Sequence, residues 1–281
     1  MRITARRLSK NFASVYALNN ITLDLESKSI CLLGPNGSGK TTFLTIAVGL
    51  RHPTQGYLEL NDFKPYQERD KVLKFLSYAF SASRLQIGVK VKDLIKTVKA
   101  ENFGDAEELM QILGLNNFAN RKISNLSSGQ TQICVLFTAL CSNSNIVVLD
   151  EPFSHLDPQK AGLLMNFLLK RDKEILFTTH IAEEAETLGE YYIILDNGKV
   201  IWSGDRKELY SQEIYEVYLF TRDDFAKITD EPLKLLTILG RTALVEVSDI
   251  GLLKELVEKG LILGFKKAGV RSIYAKHNVC N

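Results

Sequence analysis

The segment at residues 34–42 carries the strongest chemical pattern in this sequence. It consists of Gly-Pro-Asn-Gly-Ser-Gly-Lys-Thr-Thr and follows the apolar run Ile30–Leu33. Glycines let such a loop curl so that backbone N–H groups converge on phosphate groups, and the positive end of a following helix adds to the attraction. The motif predicts that Lys40 reaches the β- and γ-phosphates of a nucleoside triphosphate and that Thr41 holds Mg²⁺. The residues predicted to contact the nucleotide are Gly34, Pro35, Asn36, Gly37, Ser38, Gly39, Lys40, Thr41 and Thr42.

A second candidate site lies at the end of a predicted buried strand, Asn145–Leu149, which is followed by Asp150 and Glu151. Apolar strands of this kind belong to parallel sheets, and ligands bind where their carboxyl ends meet. We expect Asp150 to hold Mg²⁺ through water. Because side chains alternate along a strand, Glu151 should point elsewhere, where it can polarise the water that attacks the γ-phosphate.

The order of its motifs makes the chain resemble the ABC-type ATPases. Between the two sites, Leu126-Ser127-Ser128-Gly129-Gln130 matches the family signature Leu-Ser-Gly-Gly-Gln, with Ser128 at the first glycine position. After the acidic strand, Ser154-His155-Leu156-Asp157 resembles the D-loop and Thr179-His180 resembles the switch histidine. The resemblance covers roughly residues 2–205. Taken alone, the signature segment also fits an ordinary N-cap before an apolar helix.

The resemblance implies an α/β fold of the P-loop NTPase type, with a RecA-like parallel sheet core, a small antiparallel β-layer and a helical subdomain. The sequence contains patterns that fit these parts. Ile3–Arg6, Ile21–Leu25 and Tyr57–Leu60 alternate apolar and polar residues, as half-exposed antiparallel strands do. Between about residues 82 and 125, apolar residues recur at three-to-four spacing, which predicts helices.

The resemblance also implies a mechanism that needs two subunits. They would dimerise head to tail around two ATP molecules, and the signature of one subunit would complete the site of the other. Ser127, Gly129 and the N-terminus of the following helix would bind the γ-phosphate across the interface, in keeping with the attraction of anions to helix starts. In each site Lys40 and Mg²⁺ would stabilise the developing charge. Glu151 would act as base, and His180 would hydrogen-bond the γ-phosphate.

The expected function is that of the ATP-hydrolysing subunit of an ABC transporter, working with a separate integral-membrane permease. Apolar stretches such as Ile133–Cys141 are shorter than the roughly 18 to 20 residues that span a membrane. The basic start of the chain lacks the apolar core of a signal peptide, which predicts a cytoplasmic protein at the inner face of the cell membrane. The segment after residue 205 resembles the extension of export-type subunits, although their closing acidic motif is missing.

Two other functional classes stay open. The first is a soluble ABC machine, but the interval from Lys40 to Leu126 has no room for a long coiled coil and the chain has one phosphate loop. The second is a nucleotide-binding regulatory subunit with weakened hydrolysis. Nucleic acid is not an expected partner, because the net charge is only +2 and no aromatic residues interleave a basic face.

Two departures from the family pattern bear on the rate of hydrolysis. Ser81 occupies the place of the glutamine that contacts Mg²⁺ or the attacking water in the family, and Gln86, five residues later, could replace it only if the loop is rebuilt. A serine can reach the metal through a water, so we expect hydrolysis to be slowed rather than abolished. Ser128 adds a hydroxymethyl group at a close backbone approach and could weaken the dimer.

The residue that stacks on adenine has two candidates. In the family an aromatic residue in the turn between the first two strands takes this role, and Phe12 lies at the matching place, 28 residues before Lys40. Tyr16 is the alternative, and either ring could instead pack in the core, since stacking tolerates either ring type.

Composition and the tail suggest one large domain with an appendage. The chain has 281 residues, 45% of them hydrophobic, which suits an ATPase domain at 1–205 and an α/β extension at 206–281. The turn Asn197-Gly198 predicts a hairpin that closes the first domain. In the extension, the predicted strands are Tyr215–Phe220, Ala243–Val247, Leu261–Phe265 and Ser272–Ala275, around a helix at Leu252–Glu258.

The cysteines and the remaining histidines carry no motif of their own. No metal-ligand spacing links the cysteines, so reduced thiols are expected at Cys31, Cys134, Cys141 and Cys280. His155 is predicted at the surface or at an interface. A lone histidine is usually structural or solvated, which is the expectation for His52 and His277.

Overall fold

The computed structural model describes residues 1–80, 88–101, 103–228 and 232–273. The chain divides into two compact units, Met1–Ser203 and Gly204–Asn281. The strands that begin in the first unit are β1 Arg2–Phe12, β2 Val15–Glu26, β3 Ser29–Leu33, β4 Gln55–Leu60, β5 Leu76–Ala79, β6 Ile146–Asp150, β7 Glu174–Thr179, β8 Tyr191–Asp196 and β9 Lys199–Asp205. Its helices are α1 Lys40–Ala47, α2 Arg69–Val72, α3 Val91–Glu101, α4 Phe103–Leu113, α5 Ser128–Leu140, α6 Pro158–Lys170 and α7 Ala182–Leu188.

The central sheet of the first unit has the strand order β5-β6-β7-β3-β8-β9, and β3, β5, β6, β7 and β8 run parallel. All residues of β3 and β6 are buried, as expected for strands covered on both faces. Their carboxyl ends lie at one edge, so the chain segments after Leu33, Asp150 and Thr179 meet there. The sequence prediction of buried parallel strands that deliver the candidate residues to one edge is confirmed.

A second layer, with the order β2-β1-β4, is antiparallel throughout. Alternate residues of β2 from Ile21 to Leu25 are buried and the residues between them are exposed, which confirms the alternation predicted from the sequence. This layer packs on α1, whose Phe43 and Leu44 are fully buried in a core shared with β1 and β3. The helix that starts at the phosphate loop is therefore held between two sheets.

The predicted helical segment contains α3 and α4, which pack together, and α4 also packs on α5 and α6. Ile95 and Val98 of α3 are buried, as are Leu109 and Leu113 of α4, so the three-to-four spacing corresponds to one buried helix face. In the hairpin between β8 and β9, Asn197 and Gly198 have φ angles of 45° and 75°. Positive values at both positions are those of a type I′ turn, as the dipeptide predicts.

The second unit is a four-stranded antiparallel sheet with the order β11-β12-β10-β13, and its core includes Leu253 and Leu256. Its elements are α8 Arg206–Ser211, β10 Ile214–Tyr218, β11 Lys234–Leu239, β12 Thr242–Glu246, α9 Ile250–Glu258 and β13 Gly264–Lys267. Strands at 215–220 and 243–247 and the helix at 252–258 are confirmed within two residues of their bounds.

Two predictions for this unit were wrong, and one strand was not predicted. The strand predicted at Leu261–Phe265 lies at Gly264–Lys267, and residues 270–273 are helical where a strand was expected from Ser272. The strand that was not predicted is β11. This edge strand has a register irregularity between Leu235 and Thr237, and its burial does not alternate cleanly, so it lacks the period-2 pattern by which strands are recognised.

Candidate functional site

The phosphate loop connects β3 to α1, and two of its glycines are required by their surroundings. A Cβ atom on Gly34 would lie 2.3 Å from the carbonyl oxygen of Leu195, and one on Gly39 would lie 2.3 Å from that of Ala17. Gly39 also has a φ of 106°, in the left-handed region. The chain can therefore turn directly into α1, whose first residue is Lys40, only because both positions lack side chains.

Lys40 is folded back onto its own loop. Its Nζ donates hydrogen bonds to the carbonyl oxygens of Gly34 at 2.8 Å and Pro35 at 3.1 Å, and only 5% of the residue is exposed. Burial lowers the pKa of this ammonium group, while the nearby carboxylates of Glu151 and Asp150 act in the opposite direction. The amine thus sits at the point where phosphate oxygens could replace the two carbonyls.

Asp150 joins two threonines at the end of β6. Thr41 Oγ1 donates to its carboxylate at 3.1 and 3.2 Å, and Thr178 Oγ1 donates at 2.7 Å. Asp150 is 2% exposed and Thr178, on the neighbouring strand β7, is fully buried. Thr178 was not predicted from the sequence, where the apolar run around it was its only signal. The residue holds Asp150 in place because its hydroxyl can donate to the carboxylate while it accepts from the N–H of Glu151 at 2.9 Å.

The donor set around Asp150 suits Mg²⁺. This ion prefers oxygen ligands and is bound in proteins through one or two carboxylates together with substrate phosphates and water. Thr41 and Asp150 supply a hydroxyl and a carboxylate next to the phosphate loop. Within the described ranges no group of three His, Cys, Asp or Glu residues could hold a metal, and a site completed by phosphates does not need one.

Glu151 lies beyond the end of β6 in a left-handed conformation, with φ at 46°. The strand alternation invoked for its direction was therefore the wrong reason, since the residue is turned by a backbone reversal. Its side-chain Oε1 lies 3.8 Å from Lys40 Nζ and 3.5 Å from His180 Nδ1. The structure thus brings Lys40, Glu151 and His180 together on one carboxylate oxygen.

His180 follows β7 directly and its side chain is 46% exposed. The turn that carries it is tied down by Thr179, whose hydroxyl accepts from the N–H of Ile181 at 3.0 Å and donates to the carboxylate of Glu184. Burial raises the pKa of Glu184, and the charge of Glu151 adds to this effect. Thr179 and Glu184 therefore fix the turn that carries the histidine.

A cavity of about 180 Å³ opens in front of these groups. Asn36, Gly37, Gly39, Lys40, Thr41, Thr42 and Glu151 line it, together with Ala17 from β2. The hydroxyl of Ser38 beside it is buried and has no hydrogen-bond partner among the described residues, and a Cβ on Gly37 would meet no atom within 4 Å. An open, donor-rich cradle with a buried lysine fits a triphosphate. Ala17 was not predicted from the sequence, because its methyl side chain carries no chemical group that would mark it.

Phe12 and Tyr16 lie at the two sides of the β1–β2 turn, and neither is among the described residues that line the cavity. Phe12 is 42% exposed, with Arg51 Cζ 5.1 Å and Lys10 Nζ 5.3 Å from its ring centroid. Tyr16 is 53% exposed and precedes Ala17. A core role is excluded for both rings by this exposure.

The signature segment forms the start of α5. Ser127 is the N-cap, and its hydroxyl accepts from the N–H of Gln130 at 3.2 Å, while Gln130 Oε1 accepts from the N–H of Ser127 at 3.3 Å. The ordinary helix cap considered for this sequence is therefore present. Leu126 is half-buried and Ser128 is exposed, so the hydroxymethyl group of Ser128 faces solvent in the single chain.

The D-loop segment lies against the signature helix of the same chain. A Cβ atom on Gly129 would come 3.3 Å from Cγ of His155, so this imidazole covers the first turn of α5. Ser154 donates to the carbonyl oxygen of Glu151, Leu156 is half-buried, and Asp157 caps α6 by accepting from the N–H of Lys160 at 3.0 Å. These contacts place the D-loop segment between the end of β6 and the start of α5.

Several sequence predictions fall outside the described residues, namely those for Ser81, Gln86, His277 and Cys280. The other three cysteines are buried and form no disulfide among the described residues. Burial raises the pKa of Cys134 to about 11 and that of Cys141 to about 12, so both thiols stay protonated at neutral pH. Over the described ranges, none of the helices combines the length and the apolar character that crossing a membrane requires.

Comparisons with known proteins point to one family. A family model described as ABC transporter matches residues 18–154. The ABC transporter ATP-binding protein YxlF of Bacillus subtilis is 30% identical over 77% of this chain and 75% of its own length. A probable sulfate/thiosulfate import ATP-binding protein, CysA of Chlorella vulgaris, is 31% identical over 74% of this chain and 93% of its own.

Among solved structures, the dimeric, post-hydrolysis structure of an ATP-binding cassette bound to ADP and Pi matches with a TM-score of 0.58 and 25% identity. The match covers 72% of this chain and 98% of that one. The expected fold of an ABC-type ATPase is confirmed by this similarity. The expectation of an export-type subunit is not supported, because relatives named for a direction of transport are import proteins.

Proposed function

Because this chain belongs to the family of ABC transporter ATP-binding proteins, we propose that it is the subunit that hydrolyses ATP to drive a separate membrane permease. It would do so as a dimer closed around two ATP molecules. The observation that carries the proposal is the meeting of Lys40 and His180 on the carboxylate of Glu151, in front of the phosphate-binding cavity.

Each of these residues has a role that follows from its position. Lys40 exchanges the carbonyl oxygens of its own loop for phosphate oxygens, and Glu151, released from Lys40, accepts a proton from the attacking water. His180 remains beside Glu151 and donates to the γ-phosphate. Thr41 and Asp150 would hold Mg²⁺, which when bound neutralises charge that develops on the phosphates.

The signature helix α5 supports the dimeric part of the proposal. Its first residues are at the surface, and the N-terminus of a 13-residue helix attracts anions through its free N–H groups and its dipole. We assign Ser127 and Gly129 to the γ-phosphate bound by a second subunit, with Leu126, Ser128 and Gln130 shaping the same surface. The dimeric cassette bound to ADP and Pi is a precedent for a nucleotide-bound dimer within the same fold.

The permease is inferred from the relatives, whose names describe ATP-binding proteins of transporters. A subunit that uses ATP and contacts a permease belongs at the cytoplasmic face of the membrane. We assign the ATPase activity to residues 1–205 and treat 206–281 as an extension.

Steady-state ATP hydrolysis, measured over a wide range of protein concentrations, tests the proposal. The rate per subunit should rise with concentration, because the active form is a dimer. Glu151→Gln should lower the rate by ~10²- to 10³-fold, the scale of losing a positioned base, and should accumulate ATP-bound dimers. Glu255→Gln, which changes an exposed carboxylate in the second unit, serves as control.

Two outcomes would contradict parts of the proposal. A normal rate in Glu151→Gln would exclude this residue as the base. Tight ATP binding without hydrolysis at any concentration would instead favour a regulatory subunit, the alternative that Ser81 and Ser128 suggest.

A further inference from the structure

Gln132 is a buried polar residue for which the motifs provide no role. It lies in the second turn of α5, with 5% of its surface exposed. Its Nε2 donates a hydrogen bond to the carbonyl oxygen of Glu151 at 3.3 Å, whereas its Oε1 has no hydrogen-bond partner among the described residues. A carbonyl oxygen can only accept, so the amide nitrogen must face Glu151.

The carbonyl of Glu151 receives three donors. Two of them come from Ser154 in the same loop, its N–H at 3.2 Å and its hydroxyl at 2.9 Å, and the third is Gln132. Glu151 has a φ of 46°, a conformation that non-glycine residues keep only when their surroundings determine it. Among these donors, Gln132 is the one that belongs to another element, the helix α5.

The first turn of α5 and Gln132 belong to one continuous helix. Ser127 and Gln132 are five positions apart, about 7.5 Å along a helix axis. A shift of the helix start would therefore displace the amide and, with it, the backbone that sets the direction of the Glu151 side chain.

We propose that Gln132 is a positioning residue that couples the placement of the signature helix to the orientation of Glu151 in the same subunit. When the start of α5 engages the nucleotide held by a second subunit, Gln132 adjusts the base of its own site. The proposal rests on the proposed function, because it needs Glu151 as base and α5 as the contact to a second ATP.

Stability alone gives a poor account of glutamine at this position. A buried amide oxygen without a partner is unfavourable, and a leucine would fill a similar volume without it. The Glu151 carbonyl would keep its two donors from Ser154. If this glutamine served only packing, leucine could therefore replace it without loss of stability.

The test compares the full chain with its Gln132→Leu variant. The kcat of ATP hydrolysis should fall at least tenfold, since small misplacements of a reacting group cost up to about a hundredfold. The KM for ATP should stay within about twofold, and the melting temperature should be unchanged or higher. Thr138→Val is the matched control on the same helix, and its kcat should not change. Among the described residues, the Thr138 hydroxyl bonds only to the carbonyl of Cys134 in its own helix, at 2.9 Å.

Other results would overturn the inference. An unchanged kcat in Gln132→Leu would show that the amide does not position the base. A joint loss of kcat, ATP affinity and melting temperature, repeated in the unbranched variant Gln132→Met, would show a structural role. If the unmodified chain did not hydrolyse ATP, the proposed function would fail and this inference with it, whereas normal turnover with an insensitive Gln132 would refute only the inference.

Discussion

His180 Nδ1 lies 3.5 Å from Oε1 of Glu151, so an imidazole and a carboxylate from the ends of adjacent parallel strands face each other. The same oxygen lies 3.8 Å from Lys40 Nζ. A single carboxylate oxygen is thus shared by the two groups assigned to the γ-phosphate. Phosphate that draws Lys40 away would leave the histidine beside Glu151, so the His180–Glu151 pair is the first one to test by mutation.

Replacing His180 by alanine should lower ATP hydrolysis by roughly 10²-fold, because a preorganised donor to the developing charge is lost. ATP affinity should change by only a few fold, since Lys40 and the loop remain. Hydrolysis and equilibrium binding, measured on the same preparation, separate the two effects. His52→Ala, at an exposed histidine that packs edge-on against Tyr66, is the control and should keep full activity. If His180→Ala hydrolysed ATP as fast as His52→Ala, His180 would have no role in the reaction.

The base-stacking residue can be identified by pairing Phe12→Ala with Tyr16→Ala. We expect Phe12→Ala to weaken ATP binding by roughly 5- to 100-fold, the scale of one base–aromatic stack. Phe12→Tyr should bind normally. Inorganic triphosphate, which has no base, should bind all variants alike in the same calorimetric titration. Loss of ATP affinity in Tyr16→Ala but not in Phe12→Ala would show that Tyr16, not Phe12, stacks on adenine.

Glu184→Gln should alter the dependence of stability on pH. Burial raises the pKa of Glu184 above its ordinary value of 4.5, so the folded protein holds this proton more tightly than the unfolded chain does. The free energy of unfolding of the unmodified protein should therefore fall as pH rises from 4.5 through the raised pKa. In Glu184→Gln this group cannot ionise, so the variant should not show this decrease.

Denaturant unfolding between pH 4 and pH 8 checks the prediction. The difference in free energy of unfolding, variant minus unmodified protein, should increase with pH and then stay constant above the raised pKa. Glu258→Gln, at an exposed glutamate of α9, is the control, because Glu183 itself contributes to the raised pKa of Glu184. If the free energies of unfolding of Glu184→Gln and of the unmodified protein changed in parallel with pH, the charged form of this carboxyl group would not be destabilised by burial.

Local patterns determined much of the fold and of the site. The apolar runs of β3 and β6, the glycine-rich loop and the start of α1 are contiguous in sequence, so they could be recognised one segment at a time. The strand β11 could not be recognised from the sequence, because its edge position and irregular register remove the alternation that marks a strand. Residues near 272 were apolar enough for a strand but are helical in the structure, since short apolar runs do not distinguish the two.

The sequence by itself determined which residues are candidates to bind phosphate, to hold Mg²⁺ and to take up a proton, because these predictions follow from side-chain type and from spacing within one segment. Only the tertiary structure decided how they face one another. The left-handed turn at Glu151, the hydroxyl of Thr178 on Asp150 and the amide of Gln132 on the Glu151 carbonyl all join segments that are distant in sequence. Their geometry depends on how the strands and α5 pack, and packing is a property of the whole folded unit rather than of any one motif.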